Sequence, residues 1–185
     1  DNEIEILSAQ DLATQAVIDM KCYVNYYHKG TFKDQLVYKE QEVNVDLDLA
    51  HLKKLNAPIK LKIEKDGNQY LVTGSYYIPV DAFSSQKEPV KIEKTLASLP
   101  ASINTRVGTL SFTKNGNFKL KDGESLKAII VSPDMAASGY AKALAVSQTS
   151  KTTTIAELVL KDEDPQRSID YLNTLIKVYN RQANE

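Results

Sequence analysis

The stretch Ile59-Lys60-Leu61-Lys62-Ile63-Glu64-Lys65-Asp66-Gly67-Asn68-Gln69-Tyr70-Leu71-Val72-Thr73-Gly74 decides the fold class. Its first half alternates apolar with charged residues, the mark of a strand with one buried face. Asp66-Gly67 then turns the chain, because glycine enters left-handed backbone conformations without steric cost. Residues 69–74 return as the partner. Strands joined by so short a turn must be antiparallel.

Working outward, residues 22–28 are dense in Tyr and Val and read as a strand; Gly30 breaks it, and 35–38 form a short partner. Residues 43–49 alternate apolar in and polar out. A second hairpin is expected at Asn115-Gly116, between 109–113 and 117–120. Residues 126–131 read as a central strand, and 144–148 and 153–160 as two more. Residues 75–100 hold Pro79, Pro89, Pro100 and the polar run Ser84-Ser85-Gln86-Lys87-Glu88. That composition predicts a looser, partly exposed excursion at about 75–105.

Three helices frame the strands. Residues 3–20 carry Ile4, Leu7, Leu12, Ala16, Val17 and Met20 roughly on one face, with Asp1, Glu3 and Glu5 near the positive end of the helix dipole. Ser132-Pro133-Asp134 caps a short helix through 141. The last helix starts with Asp164 as N-cap and Pro165 at the first helical position, where a missing N–H costs nothing. Ile169, Leu172, Leu175, Ile176 and Tyr179 then form one stripe. The helix runs out in polar residues without a stop signal, and Asp1 leads almost directly into the first helix. Both ends read as cuts in a longer protein. The expected class is α+β: a mixed, mostly antiparallel sheet packed against an N-terminal helix and a long C-terminal helix, in a single domain over 1–185.

The chain has 185 residues, 42% hydrophobic and 25% charged, with net charge −1. Such a chain buries a real core, and it has no global electrostatic drive toward nucleic acid or anionic lipid. The lysines alternate with apolar residues and read as solvated sheet faces. No apolar run approaches the ~20 residues of a membrane span. Cys22 is the one cysteine, which excludes an internal disulfide; beside Tyr23 and Val24 it reads as a buried, inert thiol.

Chemical candidates are few. His28 and His51 have no ligand spacing, so no metal or cofactor is expected. Asp46 and Asp48, about 7 Å apart on a strand, could imitate a glycosidase pair, but a solvated outer face is the simpler reading. Asp162-Glu163-Asp164 lacks calcium-loop spacing and suits a helix N-terminus. No Gly-x-Ser-x-Gly nucleophile and no Gly-x-x-x-x-Gly-Lys-Ser/Thr phosphate loop occurs. Tyr26 and Tyr76 could offer sugar-binding faces, although tyrosine is also an ordinary strand residue.

A set of segments nevertheless carries a family resemblance: Glu3-Ile4-Glu5-Ile6-Leu7; Cys22-Tyr23-Val24-Asn25-Tyr26-Tyr27; Ser132-Pro133 with Ala136-Ala137; Leu144-Ala145-Val146-Ser147; Leu158-Val159-Leu160-Lys161-Asp162-Glu163-Asp164-Pro165; and Asp170-Tyr171-Leu172-Asn173-Thr174-Leu175-Ile176 with Tyr179. They resemble the extracytoplasmic domain of bacterial polysaccharide co-polymerases, the Wzz-type chain-length determinants. Within that family the chain is most similar to the Bacteroides-like subgroup fused to a cytoplasmic tyrosine autokinase. The resemblance covers roughly 1–28 and 126–185, with Pro133, Asp164, Pro165, Leu172, Asn173 and Tyr179 as its motif residues.

The resemblance implies a periplasmic domain bracketed by two membrane helices outside this chain. It implies self-association into a ring in the inner membrane, beside the polysaccharide polymerase or export machinery, with the glycan chain as a further partner. Nucleotide chemistry would belong to a cytoplasmic domain beyond this chain, so the fragment itself would catalyse nothing. Subunit contacts are expected on the first and last helices and on 75–105. A free-standing glycan-binding module using Tyr26 and Tyr76 is the alternative, and a hydrolase using Asp46 and Asp48 a third reading.

Overall fold

The computed structural model describes residues 9–146 and 162–184. These hold four helices and nine strands, with every strand pairing antiparallel, in the α+β class. They fall into two compact units, one formed by the helical ends of the chain and one by residues 24–132.

The β unit is built around the stretch quoted above. β4 (Ile59–Asp66) and β5 (Gln69–Pro79) pair from Asp66↔Gln69 onward, so the two-residue loop is Gly67-Asn68, with Gly67 at φ +61°. β4 buries Ile59, Leu61 and Ile63 and turns Lys60 and Lys62 outward. β9 (Ser125–Ile130) lies between β4 and β1 (Val24–His28), with Leu126, Ala128 and Ile130 fully buried. The six-stranded order is β2-β1-β9-β4-β5-β6, where β2 is Gln35–Val37 and β6 is Lys87–Leu96. A second sheet has the order β3-β8-β7, from β3 (Val43–Asp46), β8 (Gly108–Lys114) and β7 (Ala101–Thr105). Val43, Leu110 and Phe112 are fully buried in it.

Several expectations are corrected. Residues 75–105 are ordered strand for most of their length: β5 and β6 form a ribbon paired from Tyr70↔Leu96 to Pro79↔Lys87. Pro89 is tolerated because, among the described residues, β6 is an edge strand with one side free of ladder bonds. The connecting loop is fixed by Asp81, whose Oδ1 accepts from the amides of Phe83 and Ser84 at 2.8 and 2.6 Å. The second hairpin does not form at Asn115-Gly116. β8 pairs back to β7 and across to β3, so both its edges are filled. The Leu120 amide instead donates to the Glu42 carboxylate. The strand from Val43 ends at Asp46, because Asp48 caps a short helix, α2 (Leu49–Lys53), by accepting from the His51 amide at 3.1 Å.

Gly74 shows how closely β4 and β5 approach. A Cβ there would run into the Lys60 carbonyl oxygen, a backbone atom of the β4–β5 ladder. Gly74→Ala is therefore expected to cost about 1–3 kcal/mol, read as a lower denaturant midpoint at unchanged slope.

The helical unit holds α1 (Ala9–Met20), α3 (Pro133–Val146) and α4 (Pro165–Ala183). α1 packs on both others. The expected helix over 3–20 is seen from Ala9; its first residues lie outside those described. α3 runs past 141 through residues 144–146, where a strand is expected from the sequence; its alanines favour a helix. Residues 147–148 and the strand expected at 153–160 lie outside the described residues. α4 begins as expected, with Asp164 accepting from the amides of Gln166 and Arg167 and Pro165 in the first turn. Its buried seam differs from the expected stripe: Ser168, Tyr171 and Val178 face inward, while Ile169, Ile176 and Tyr179 are 41%, 57% and 44% exposed. Ser168 is drawn in by its bond to Asp162, and Tyr171 by stacking on Tyr140 at 4.1 Å between ring centres.

Candidate functional site

The two tyrosines expected to meet a glycan are buried. The Tyr26 hydroxyl accepts from the Val45 amide at 2.8 Å and donates to the Val45 carbonyl at 3.3 Å. Burial, only partly offset by the Val45 contact, pushes its pKa up to about 12. The Tyr76 hydroxyl accepts from the Arg106 amide at 3.1 Å. Each ties a strand of the large sheet to the backbone of the small one, so neither ring is free to stack on a sugar. That contact assignment is corrected.

Asp46 and Asp48 do not form a pair on one strand face. Asp46 accepts from the Leu47 amide, and Asp48 is the cap of α2. The His51 amide, aided by the His51 ring, holds the Asp48 carboxyl below its usual range, the opposite of what a general acid needs. Among the described residues, no group of three His, Cys, Asp or Glu side chains could hold a metal ion. Cys22 is buried, and that burial pushes its thiol up to about 11 against the opposing charge of Arg167, as an inert thiol requires.

Pro133, Asp164, Pro165, Leu172, Asn173 and Tyr179 all belong to the helical unit. Pro133 is buried at the start of α3, Asp164 and Pro165 open α4, and Leu172 is half-buried. Asn173 and Tyr179 are exposed. Ile169, Leu172, Ile176 and Tyr179 thus form a second, outward apolar line at helical spacing. Arg181 reaches from α4 to Asp19 on α1 at 3.1 Å.

Sequence reasoning missed the concave outer face of the large sheet. Register aligns Tyr27, Lys127, Lys62 and Thr73 in one row across β1, β9, β4 and β5, with Lys60 and Ser75 one step along. These side chains line an open groove of about 600 Å³ with Lys29 and Asp34 at its rim. Lys127 pairs with Asp34 at 3.3 Å, and Lys62 with Glu64 at 3.6 Å. The alternation that announced the strand also announced this face. Only pairing, which sequence does not print, sets lysines from different strands side by side.

Among the described residues no helix is long and apolar enough to cross a membrane. The chain matches no family model and no curated protein.

Proposed function

We propose that this chain is the extracytoplasmic, non-catalytic and self-associating domain of an inner-membrane polysaccharide co-polymerase of the Wzz type. It would regulate the chain length or export of a capsular or exopolysaccharide from the periplasmic side. The observation that carries the reading is the outward apolar line of α4, Ile169-Leu172-Ile176-Tyr179, on a helix that opens with the family-like Asp164-Pro165 start. A helix with one apolar seam already buried and a second exposed is suited to lateral contact with another helix. The packing of α1 on α4 supports the same reading, since it gathers the two helices expected to make subunit contacts.

The first test is the coding DNA on both sides of the chain. Apolar spans of ~20 residues before Asp1 and after a helix continued from Glu185 are expected, and a phosphate-binding loop beyond the second span would add the kinase. A cleavable leader together with a stop codon near Glu185 would overturn the proposal. In the detergent-solubilised parent, Ile176→Asp with Tyr179→Asp is expected to lower the assembly mass by light scattering. Both side chains are exposed, so the fold should persist by circular dichroism. Unchanged mass would remove α4 from the interface.

A further inference from the structure

We propose that the outer face of β1, β9, β4 and β5 is a binding groove for an acidic oligosaccharide, a chain of sugar rings carrying carboxylates. The choice of a glycan rests on the polysaccharide reading above, whereas the groove rests on geometry.

Cross-strand neighbours with like charge destabilise a sheet, so a face that only meets water gains by alternating signs. At its centre this one does the opposite. Lys62 and Lys127 stand directly opposite each other on the two middle strands, and Lys60 follows on the same face of β4. Glu64 and Asp34 answer Lys62 and Lys127 from the flanks. Lys60 and Lys29 have no carboxylate within ion-pair distance among the described residues, leaving the groove with more cations than anions. An anion laid along the groove relieves the repulsion that folding alone leaves in place.

The remaining lining selects among anions. Lysine is a compact point charge that accepts a carboxylate without demanding two-pronged geometry. Thr73 and Ser75 supply hydroxyls for a sugar's own hydroxyls, and Glu64 and Asp34 can accept from them. Tyr27, whose neighbour Tyr26 is committed to the core, sets an aromatic side chain in the groove. Nucleic acid fits less well. The chain's net charge of −1 gives no long-range pull on a phosphate backbone, and one aromatic ring is too few for a run of stacked bases. A bilayer is flat, and these charges lie in a hollow.

The test is titration of the isotope-labelled 185-residue chain with hexagalacturonate, followed by amide shifts. Saturable shifts on β1, β4, β5 and β9 are expected, weakening as salt rises. Lys60→Gln with Lys62→Gln should weaken binding by at least about tenfold. Both side chains are exposed, so the fold should survive, and an unchanged amide spectrum away from the groove checks this. Lys119→Gln, outside the groove, should bind like the parent. Maltohexaose, of equal length and uncharged, should not saturate.

No shift with hexagalacturonate at millimolar concentration would overturn the groove, as would equal binding by the double variant. Tighter, groove-centred binding of an oligothymidylate or of phosphatidylglycerol vesicles would overturn the choice of a glycan. None of these results moves the assembly mass or the flanking spans. The groove and the co-polymerase reading therefore fail separately.

Discussion

Glu42→Ala is expected to destabilise the chain by about 3–5 kcal/mol, the range for removing one partner of a buried, hydrogen-bonded ion pair. Glu42 is 1% exposed, yet its carboxylate is fully occupied. Oε1 accepts from Lys65 Nζ and from the Leu120 amide, both at 2.9 Å, and Oε2 accepts from the Tyr70 hydroxyl at 2.6 Å. Its backbone carbonyl takes the Asn115 amide at 2.7 Å. One residue thus holds the connection after β8 to the β4–β5 hairpin. Truncation leaves a buried phenol, a backbone amide and a largely buried ammonium without their acceptor.

The same site fixes a pH dependence. Burial by itself would raise the Glu42 carboxyl, but the bonds from Tyr70, Lys65 and the Leu120 amide outweigh it and hold the group below the usual carboxylate range. A depressed native pKa means the unfolded chain binds the proton more readily. The stabilisation is therefore complete above the unfolded value of about 4.3 and is lost as pH falls through the native pKa. Denaturant midpoints of Glu42→Gln should accordingly fall less steeply than those of the parent in that acidic window. Parallel acid limbs for the two proteins would refute the assignment.

What was legible in the sequence follows from the range of the interactions involved. Residues 59–74 declared two strands and their turn because alternation and Gly67 act over neighbouring positions. Asp164-Pro165 declared a helix start for the same reason. The strand ending in Ala128-Ile129-Ile130-Val131 is recognisable as central from that apolar run. The failures came where a distant partner decided the outcome. Residues 117–120 had strand-like residues behind an Asn-Gly turn, but Glu42, far back in the chain, captured the Leu120 amide. The prolines and serines of 75–100 signal a loose segment by local composition alone, whereas β6, at a sheet edge, accommodates Pro89. Tyr26 and Tyr76 were indistinguishable from surface tyrosines until their hydroxyls met the backbone of the second sheet.

The α4 stripe shows the same limit within one helix. Periodicity identified an apolar helix, but two apolar seams were available and only packing chooses between them. The seam with Tyr171 and Val178 turned inward because Tyr140 offers Tyr171 a stacking partner and Asp162 draws in Ser168. The seam left outside is the one that the co-polymerase proposal uses.

Asp162→Ala is the second large effect, also expected at about 3–5 kcal/mol. Arg167 donates to the Asp162 carboxylate through Nε at 3.1 Å and Nη2 at 2.9 Å, a two-pronged arrangement that fixes both side chains. Ser168 Oγ and the Asp164 amide donate to the same carboxylate at 2.7 and 3.1 Å. The Asp162 side chain is 4% exposed and that of Arg167 18%, so this pair is much less screened than a surface bridge. Burial would raise the Asp162 carboxyl, but the donors from Arg167 and Ser168 outweigh it and hold the group low. Arg167 keeps a raised pKa through the Asp162 bond, against its own burial. Removing the carboxylate takes away the two bonds Arg167 makes to Asp162 and loosens the first turn of α4, where Asp164 performs the capping. Cys22 is a built-in reporter, because its thiol is buried in the same helical unit. Under conditions where opening precedes reaction, labelling of Cys22 by a thiol reagent should quicken by about 100-fold or more in Asp162→Ala, the factor matching 3 kcal/mol. Asp162→Asn should fall between the two, since it keeps an acceptor and loses the charge. An unaltered labelling rate in Asp162→Ala would mean that the pair does not hold this unit closed.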